Sequence, residues 1–177
     1  ALVDVYADAE EVELFLNGRS LGRKPAGEGH AFTATYEMAY EPGELEAVSY
    51  AQGQEIGRCS LVTAGEGIRL WAEADRKTLP ADGESLSFVT VKLTDQDGIL
   101  NLFASKKVSV AVEGAGRLEA LGSADPQSLR SYDDAEWETY DGHVLAVVRA
   151  GEEAGSILVT VTAEGCEAVK LELAAEA

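Results

Sequence analysis

Hydrophobic and polar residues alternate with a period of two along much of this chain. The apolar positions fall at 12, 14 and 16, at 108, 110 and 112, and at 157, 159 and 161. This alternation is typical of β-strands that bury one face in a core. No segment has the spacing of an amphipathic helix, and residues 133–138 are predicted to form one helical turn at most. The pattern therefore predicts an all-β protein.

Turn residues separate the strand-like runs. Asn17-Gly18 supplies the two positive φ angles of a tight hairpin turn, and Pro42-Gly43 favours a second reversal. In the first third of the chain the predicted strands are residues 2–6, 12–16, 31–36, 45–50 and 55–62. In the rest of the chain they are residues 68–74, 86–94, 107–112, 118–121, 144–149, 156–163 and 168–173.

A short stretch of small and flexible residues at 64–67 separates these two sets of strands. We therefore expect two tandem immunoglobulin-like β-sandwich domains, residues 1–64 and residues 65–177. Because so small a first domain buries little surface, it is expected to lean on a neighbour. A strand-like run begins at once after residue 1, which we interpret as a cut within a longer polypeptide. Trp71 lies in a predicted strand and is expected in the core or at a domain interface.

The chain is strongly acidic, with 14 Lys and Arg against 32 Asp and Glu and a net charge of −18. This balance argues against nucleic acids and anionic membranes as partners, since both are bound by clustered cations. We attribute the acidity to a solvated surface. No apolar run approaches the roughly 18 residues of a membrane span, so membrane insertion is not expected.

Few residues are suited to metal binding or nucleophilic catalysis. The two cysteines, Cys59 and Cys166, are expected to be free thiols, and neither has zinc-site spacing with His30 or His143. A Cys–His pair within each domain is left open by spacing alone. Asp95-Gln96-Asp97-Gly98 is interpreted as a turn, because a calcium loop needs a Glu where Lys106 stands. No catalytic residue, cofactor or metal is predicted.

The long connection after Leu121 is the candidate site. Loops of this length inside a sandwich are uncommon and often functional. The connection mixes aromatic rings, which stack on sugar faces, with carboxylates, which bind sugar hydroxyls. Carbohydrate contact and docking or packing within the protein are both open as roles for its residues. The candidates are Tyr132, Asp133, Asp134, Glu136, Trp137 and Tyr140.

Four segments in order resemble the C-terminal region of family 2 glycoside hydrolases of the β-galactosidase type. They are VELFLNGRSLG (12–22), YEPGELEAVSY (40–50), DRKTLPADGESLSFVTVKLTDQDG (75–98) and VEGAGRLEALGSADP (112–126). The resemblance implies a small immunoglobulin-like domain that follows the catalytic barrel, and then a bacterial immunoglobulin-like domain of the invasin or adhesin kind.

A barrel needs at least about 200 residues and eight helices, so this chain is not expected to be an enzyme by itself. The resemblance implies a non-catalytic accessory region that braces or positions an upstream catalytic barrel of the same polypeptide. A carbohydrate-binding module that contacts oligosaccharide through the loop is the alternative, and a cell-surface adhesion or stalk module is a second. The sequence assigns no compartment, and it does not identify the substrate of the parent enzyme.

Overall fold

A computed structural model describes all 177 residues, which form two compact units, Ala1–Thr63 and Ala64–Ala177. Both units consist of β-strands, with one 3₁₀ turn at Glu28–His30, so the predicted all-β class is confirmed. The first unit contains β1 (Leu2–Tyr6), β2 (Glu11–Leu16), β3 (Arg19–Pro25), β4 (Thr33–Glu37), β5 (Glu44–Ala51) and β6 (Gln54–Val62). The second unit contains β7 (Arg69–Ala74), β8 (Thr78–Pro80), β9 (Leu86–Thr94), β10 (Lys107–Gly114), β11 (Gly116–Gly122), β12 (Glu136–Glu138), β13 (His143–Ala150), β14 (Gly155–Ala163) and β15 (Val169–Glu176).

The first unit packs a four-stranded sheet, in the order β3-β2-β5-β6, against the two-stranded sheet β1-β4. Its buried core is small: Val12, Leu14, Ala26, Ala34, Tyr36 and Ala47. The predicted hairpin turn is confirmed, because Asn17 and Gly18 have φ angles of 51° and 75°. The Asn17 carboxamide also donates to Pro42 O at 3.1 Å and accepts from Glu44 N at 2.9 Å, which joins the hairpin to the next turn.

The second unit is a larger sandwich. One sheet has the order β11-β13-β9-β7 and the other the order β12-β10-β14-β15-β8. Alternate residues of the central strands point inward, as in β13, where Val144, Ala146, Val148 and Ala150 are buried. The alternation that predicted the strands is therefore the alternation that fills the core.

The structure settles three local features that the sequence pattern left open. Residues 133–138 do not form a helical turn, because Glu136–Glu138 pairs as an edge strand with β10. Trp71 is not in the core, because it projects from the outer face of its sheet and is 37% exposed. Thr78–Pro80, for which no strand is predicted, forms a parallel pair with the end of β15.

Candidate functional site

The connection between β11 and β12 crosses from one sheet of the second unit to the other. Its two ends are tied to the sheets by backbone hydrogen bonds. Leu121 N donates to Tyr132 O at 2.8 Å, and Val110 N donates to Ala135 O at 2.9 Å. The loop therefore closes the open side of the sandwich at this end.

Trp137 is a core residue and anchors the loop. Its side chain is only 2% exposed, and its backbone lies opposite Val108 of β10. The indole Nε1 donates to Ser123 Oγ at 3.1 Å, which satisfies its polar atom. The ring of Tyr132 is stacked on the indole, with ring centroids 5.3 Å apart and planes 3° apart. Neither face of Trp137 is therefore open to a ligand.

Each carboxylate of the candidate set has a partner within the protein. Asp133 accepts from Ser131 Oγ at 3.1 Å, and Asp134 lies 3.6 Å from Arg130 Nε. Glu136 accepts from Ser109 Oγ at 3.0 Å and lies 3.5 Å from Lys107 Nζ. The Ser109 hydrogen bond, followed by the positive charge of Lys107, lowers the pKa of Glu136 below its ordinary value. Glu136 is therefore a structural carboxylate that is ionised at neutral pH.

The two candidate tyrosines are exposed at different places. Tyr132 is 60% exposed above Trp137. Tyr140 is 40% exposed and exchanges two backbone hydrogen bonds with His143 across the turn before β13. The structure therefore joins Tyr132 to Trp137 by stacking, whereas Tyr140 lies outside that pair.

A groove beside Tyr132 adds residues that the sequence did not identify. It has a volume of about 410 Å³ and follows the outer face of the four-stranded sheet. Its surface is almost wholly apolar, with Leu145 and Val147 of β13 as the floor, although Thr90, Ser123 and His143 are among the lining residues. No Asp or Glu lines the groove, although the chain contains 32 of them. The continuous apolar run at 144–148 was the available signal, since it places apolar residues on both faces of β13.

Gly122 allows Tyr132 to lie across the edge of this sheet. A Cβ atom on Gly122 would come within 2.5 Å of the Tyr132 ring carbons Cδ1 and Cε1. Because real Cβ contacts are longer than this, only glycine leaves room for the ring at its present position.

The apolar surface continues across the sheet beyond the groove. Phe88 projects outward opposite Val147 and is partly exposed. Trp71 lies apart from it, opposite Lys92, whose Nζ is 4.9 Å from the centre of the Trp71 ring. We call the surface formed by Phe88, Leu145, Val147 and Tyr132 the outer apolar face. A sheet face of this kind in a highly charged protein is typical of a contact surface.

The residue types that bind metals are dispersed in the structure. No group of three or more His, Cys, Asp and Glu side chains is placed to hold a metal ion. Both cysteines are free thiols; Cys166 Sγ lies 3.6 Å from Ile68 O, and His143 Nδ1 lies 2.8 Å from Asp141 O. No helix is both long enough and apolar enough to span a membrane.

The 95–98 segment forms a turn around a buried carboxylate. Asp95 Oδ1 accepts from Asp97 N at 2.9 Å and from Ile99 N at 2.8 Å, and Oδ2 accepts from Gly65 N at 2.6 Å. These backbone donors, Gly65 first, lower the pKa of Asp95. The predicted turn is confirmed, and the Asp95 carboxylate accepts hydrogen bonds from three backbone N–H groups around it.

Two family models match the chain. The model of glycoside hydrolase family 2 C-terminal domain 5 matches residues 70–172. The model of a domain of unknown function (DUF4982) matches residues 2–57.

Similar proteins cover nearly the whole chain. The β-galactosidase BoGH2A of Bacteroides ovatus is 31% identical over 97% of this chain and 20% of its own length. A putative β-glucuronidase of Formosa agariphila is 34% identical over 69% of this chain and 12% of its own length. The crystal structure of a glycosyl hydrolase family 2 member from Bacteroides cellulosilyticus is 36% identical, with a TM-score of 0.96 over 99% of this chain and 23% of that one. The chain thus spans about a fifth of the length of the relatives that it matches most fully.

Proposed function

This chain belongs to the C-terminal domain 5 family of glycoside hydrolase family 2, and on that premise we propose that it is a non-catalytic accessory region of a β-galactosidase-like hydrolase. Its role is to brace and position the catalytic barrel of the same polypeptide. The similarity to the β-galactosidase BoGH2A supports the class of parent enzyme. Residues 1–64 and 65–177 act as two immunoglobulin-like domains in this role.

The outer apolar face is the observation that carries the proposal. Phe88 and Leu145 are each about two-fifths exposed, on neighbouring strands of a sheet rather than on a loop. Covering apolar surface stabilises by about 25 cal/mol per Å², so a docked partner would be held chiefly by these side chains. The surface has no nucleophile and no pair of carboxylates, and the proposed role requires neither.

The test compares variants of the full-length polypeptide. Phe88→Glu places a charge in the outer apolar face and is expected to lower the temperature at which galactosidase activity is lost. Leu129→Glu is the matched control, because Leu129 is 99% exposed on the same unit but lies outside the face. Equal inactivation temperatures for Phe88→Glu and the control would contradict bracing through this face.

The isolated chain gives a second test of the same proposal. It is expected to show no hydrolysis of aryl β-galactosides, because a retaining glycosidase needs two carboxyl groups about 5 Å apart across the bond. Turnover that copurifies with the chain and resists purification controls would contradict the non-catalytic role.

Oligosaccharide binding at the groove is the second candidate function. It is favoured by Tyr132, whose exposed ring lies beside an apolar groove, because the C–H faces of sugars pack on aromatic and apolar surfaces. Calorimetric titration with galactose-containing oligosaccharides is expected to show saturable binding that Tyr132→Ala abolishes and Leu129→Ala preserves. Trp137→Ala is unsuitable for this purpose, since it removes a core residue.

A further inference from the structure

The first unit lacks a strand on one side of its sandwich. Its second sheet has only two strands, β1 and β4, facing four strands in the other sheet. Tyr36 Oη of β4 donates to Val12 O of β2, and Lys24 Nζ of β3 donates to Thr35 O of β4, both at 2.6 Å. Because β4 lies over β2 and β3, the position beyond β1 lies over β5 and β6.

That position is an open groove of about 340 Å³. Val5 and Tyr6 line it from the β1 side, and Ala47, Ile56 and Cys59 line it from β5 and β6. Ile56 is more than half exposed, and of the nine residues of β6 only Gly57 is even partly buried. Therefore no residue of this chain covers the inner face of β6.

The backbone of β1 has an unpaired edge that faces the groove. Ala1 and Met38 exchange two backbone bonds of 2.6 and 3.0 Å, and Ala7 N donates to Phe32 O at 2.9 Å. Bonded residues alternate along an antiparallel pair. It follows that the N–H and C=O groups of Leu2, Asp4 and Tyr6 point away from β4, toward the open edge.

We propose that an extended segment of the same polypeptide, outside residues 1–177, adds to the edge of β1 and covers the inner face of β6. The backbone groups of Leu2, Asp4 and Tyr6 hold the strand by hydrogen bonds. Its alternate side chains are apolar and fill the groove against Ala47 and Ile56. The proposed function is needed only for the origin of this strand, because it makes the chain part of a longer hydrolase polypeptide that can supply one.

Charge decides between this occupant and a second copy of the chain. The edge carries Asp4, and the groove is also lined by Asp8, in a chain of net charge −18. The one cation of the lining, Arg58, is already paired with Glu46 and Glu55. Two copies paired at this edge would bring like charges together, which destabilises cross-strand pairs. The strand is therefore expected to have neutral or basic residues at the outward positions beside Asp4.

Cys59 provides a reporter for the test. It is an exposed free thiol in the groove lining, whereas Cys166 is a half-buried free thiol of the second unit. N-Ethylmaleimide labelling of each cysteine, followed by peptide mass spectrometry, is compared between the isolated chain and the full-length polypeptide. We expect labelling of Cys59 to slow by about tenfold or more in the full-length protein, relative to Cys166, because exposure of a covered site needs local opening.

Two variants of the full-length protein test whether Cys59 is protected from labelling by a strand in the groove. Ile56→Lys places a charge on the groove floor and is expected to restore Cys59 labelling. Ser60→Lys is the matched control, because Ser60 is exposed and adjoins Cys59 on the opposite face of β6. Amide exchange at Leu2, Asp4 and Tyr6 is expected to be slow in the full-length protein and fast in the isolated chain.

Equal Cys59 labelling in the isolated chain and the full-length protein would overturn the inference. If Cys59 in the isolated chain becomes protected from labelling as the protein concentration rises, the inference is also overturned, in favour of a second copy of the chain. Neither readout involves galactosidase activity or the outer apolar face. The inference and the bracing function can therefore fail separately.

Discussion

Trp137 shows at the scale of a residue how a candidate ligand contact serves as a core anchor. Trp137→Ala removes a buried indole and the support of the Tyr132 ring, so it is expected to lower the free energy of unfolding by about 3–5 kcal/mol. Trp137→Phe retains most of the packing and loses the bond to Ser123, which is worth about 1 kcal/mol. Urea unfolding followed by circular dichroism measures both changes.

Leu129→Ala is the control for these two variants, since Leu129 is 99% exposed in the same loop. Its effect is expected to stay within about 0.5 kcal/mol. A Trp137→Ala variant as stable as this control would mean that the loop does not anchor the sandwich.

The residue types of the candidate site were readable from the sequence, but their environments were not. The aromatic and acidic composition identified the loop, and packing was one of its two open roles. Trp137 is buried because residues 136–138 pair with residues 107–109, which are distant in sequence. No local pattern specifies such a pairing, since a three-residue strand is too short for alternation to show.

Gly43 illustrates at the scale of an element how two turns of the first unit depend on each other. Its φ is 133°, and a Cβ atom there would lie 1.8 Å from Asn17 Oδ1. Gly43→Ala therefore strains the backbone and displaces the carboxamide that bonds Pro42 and Glu44. Backbone strain of ~1–2 kcal/mol and two lost hydrogen bonds of ~1 kcal/mol each give a loss of roughly 3 kcal/mol in unfolding free energy.

Gly53→Ala is the matched control for Gly43→Ala. Gly53 also has a positive φ, 74°, but a Cβ atom there would meet nothing within 4 Å. The loss of unfolding free energy for Gly53→Ala is expected to come from backbone strain alone, which costs ~1–2 kcal/mol. If denaturation shows equal losses for the two variants, the Asn17 carboxamide is not the obstacle.

Asp95 gives the turn at 95–99 a pH dependence with a definite sign. Its pKa is lowered in the folded protein, chiefly by the Gly65 N–H. Its ionisation therefore stabilises the fold fully above the unfolded pKa of about 3.9, and this contribution is lost as the pH falls through the lower folded value. Asp95→Asn is expected to lower the melting temperature at pH 7 but to approach the parent chain below pH 4.

Asp97→Asn controls for this variant, because the Asp97 carboxylate is not the acceptor of these three bonds. It is expected to melt as the parent chain does at both pH values. A deficit for Asp95→Asn that is as large at pH 3 as at pH 7 would show that its charge is not the cause.

Long strands were predictable as runs of β-branched and apolar residues bounded by turn residues. β9, β13 and β14 follow their predicted positions to within two residues at either end. The sequence was silent on β8, because a parallel pair with β15 is formed across almost a hundred residues. The sequence left Trp71 open between the core and a domain interface, and the structure excludes the core, because a sheet face exposed to solvent can also carry apolar residues.

The balance of charge dominates at the scale of the whole molecule and sets the expected response to salt. The 32 acidic and 14 basic residues leave 18 uncompensated negative charges at pH 7, which repel one another in the folded state. Ten surface ion pairs oppose this repulsion. Each exposed pair contributes only about 0–1 kcal/mol to the free energy of unfolding. Because the excess charge acts over longer distances than these contacts, repulsion is expected to dominate.

Salt should therefore stabilise this chain at neutral pH. Raising the ionic strength from about 0.01 M to 0.1 M shortens the screening length from about 30 Å to about 10 Å, which weakens long-range repulsion more than contact pairs. The melting temperature at pH 7 is expected to rise with sodium chloride over this range. The rise should be smaller at pH 5, where carboxylates begin to protonate and the repulsion is weaker. A melting temperature that falls with salt at pH 7 would mean that the ion pairs outweigh the excess charge.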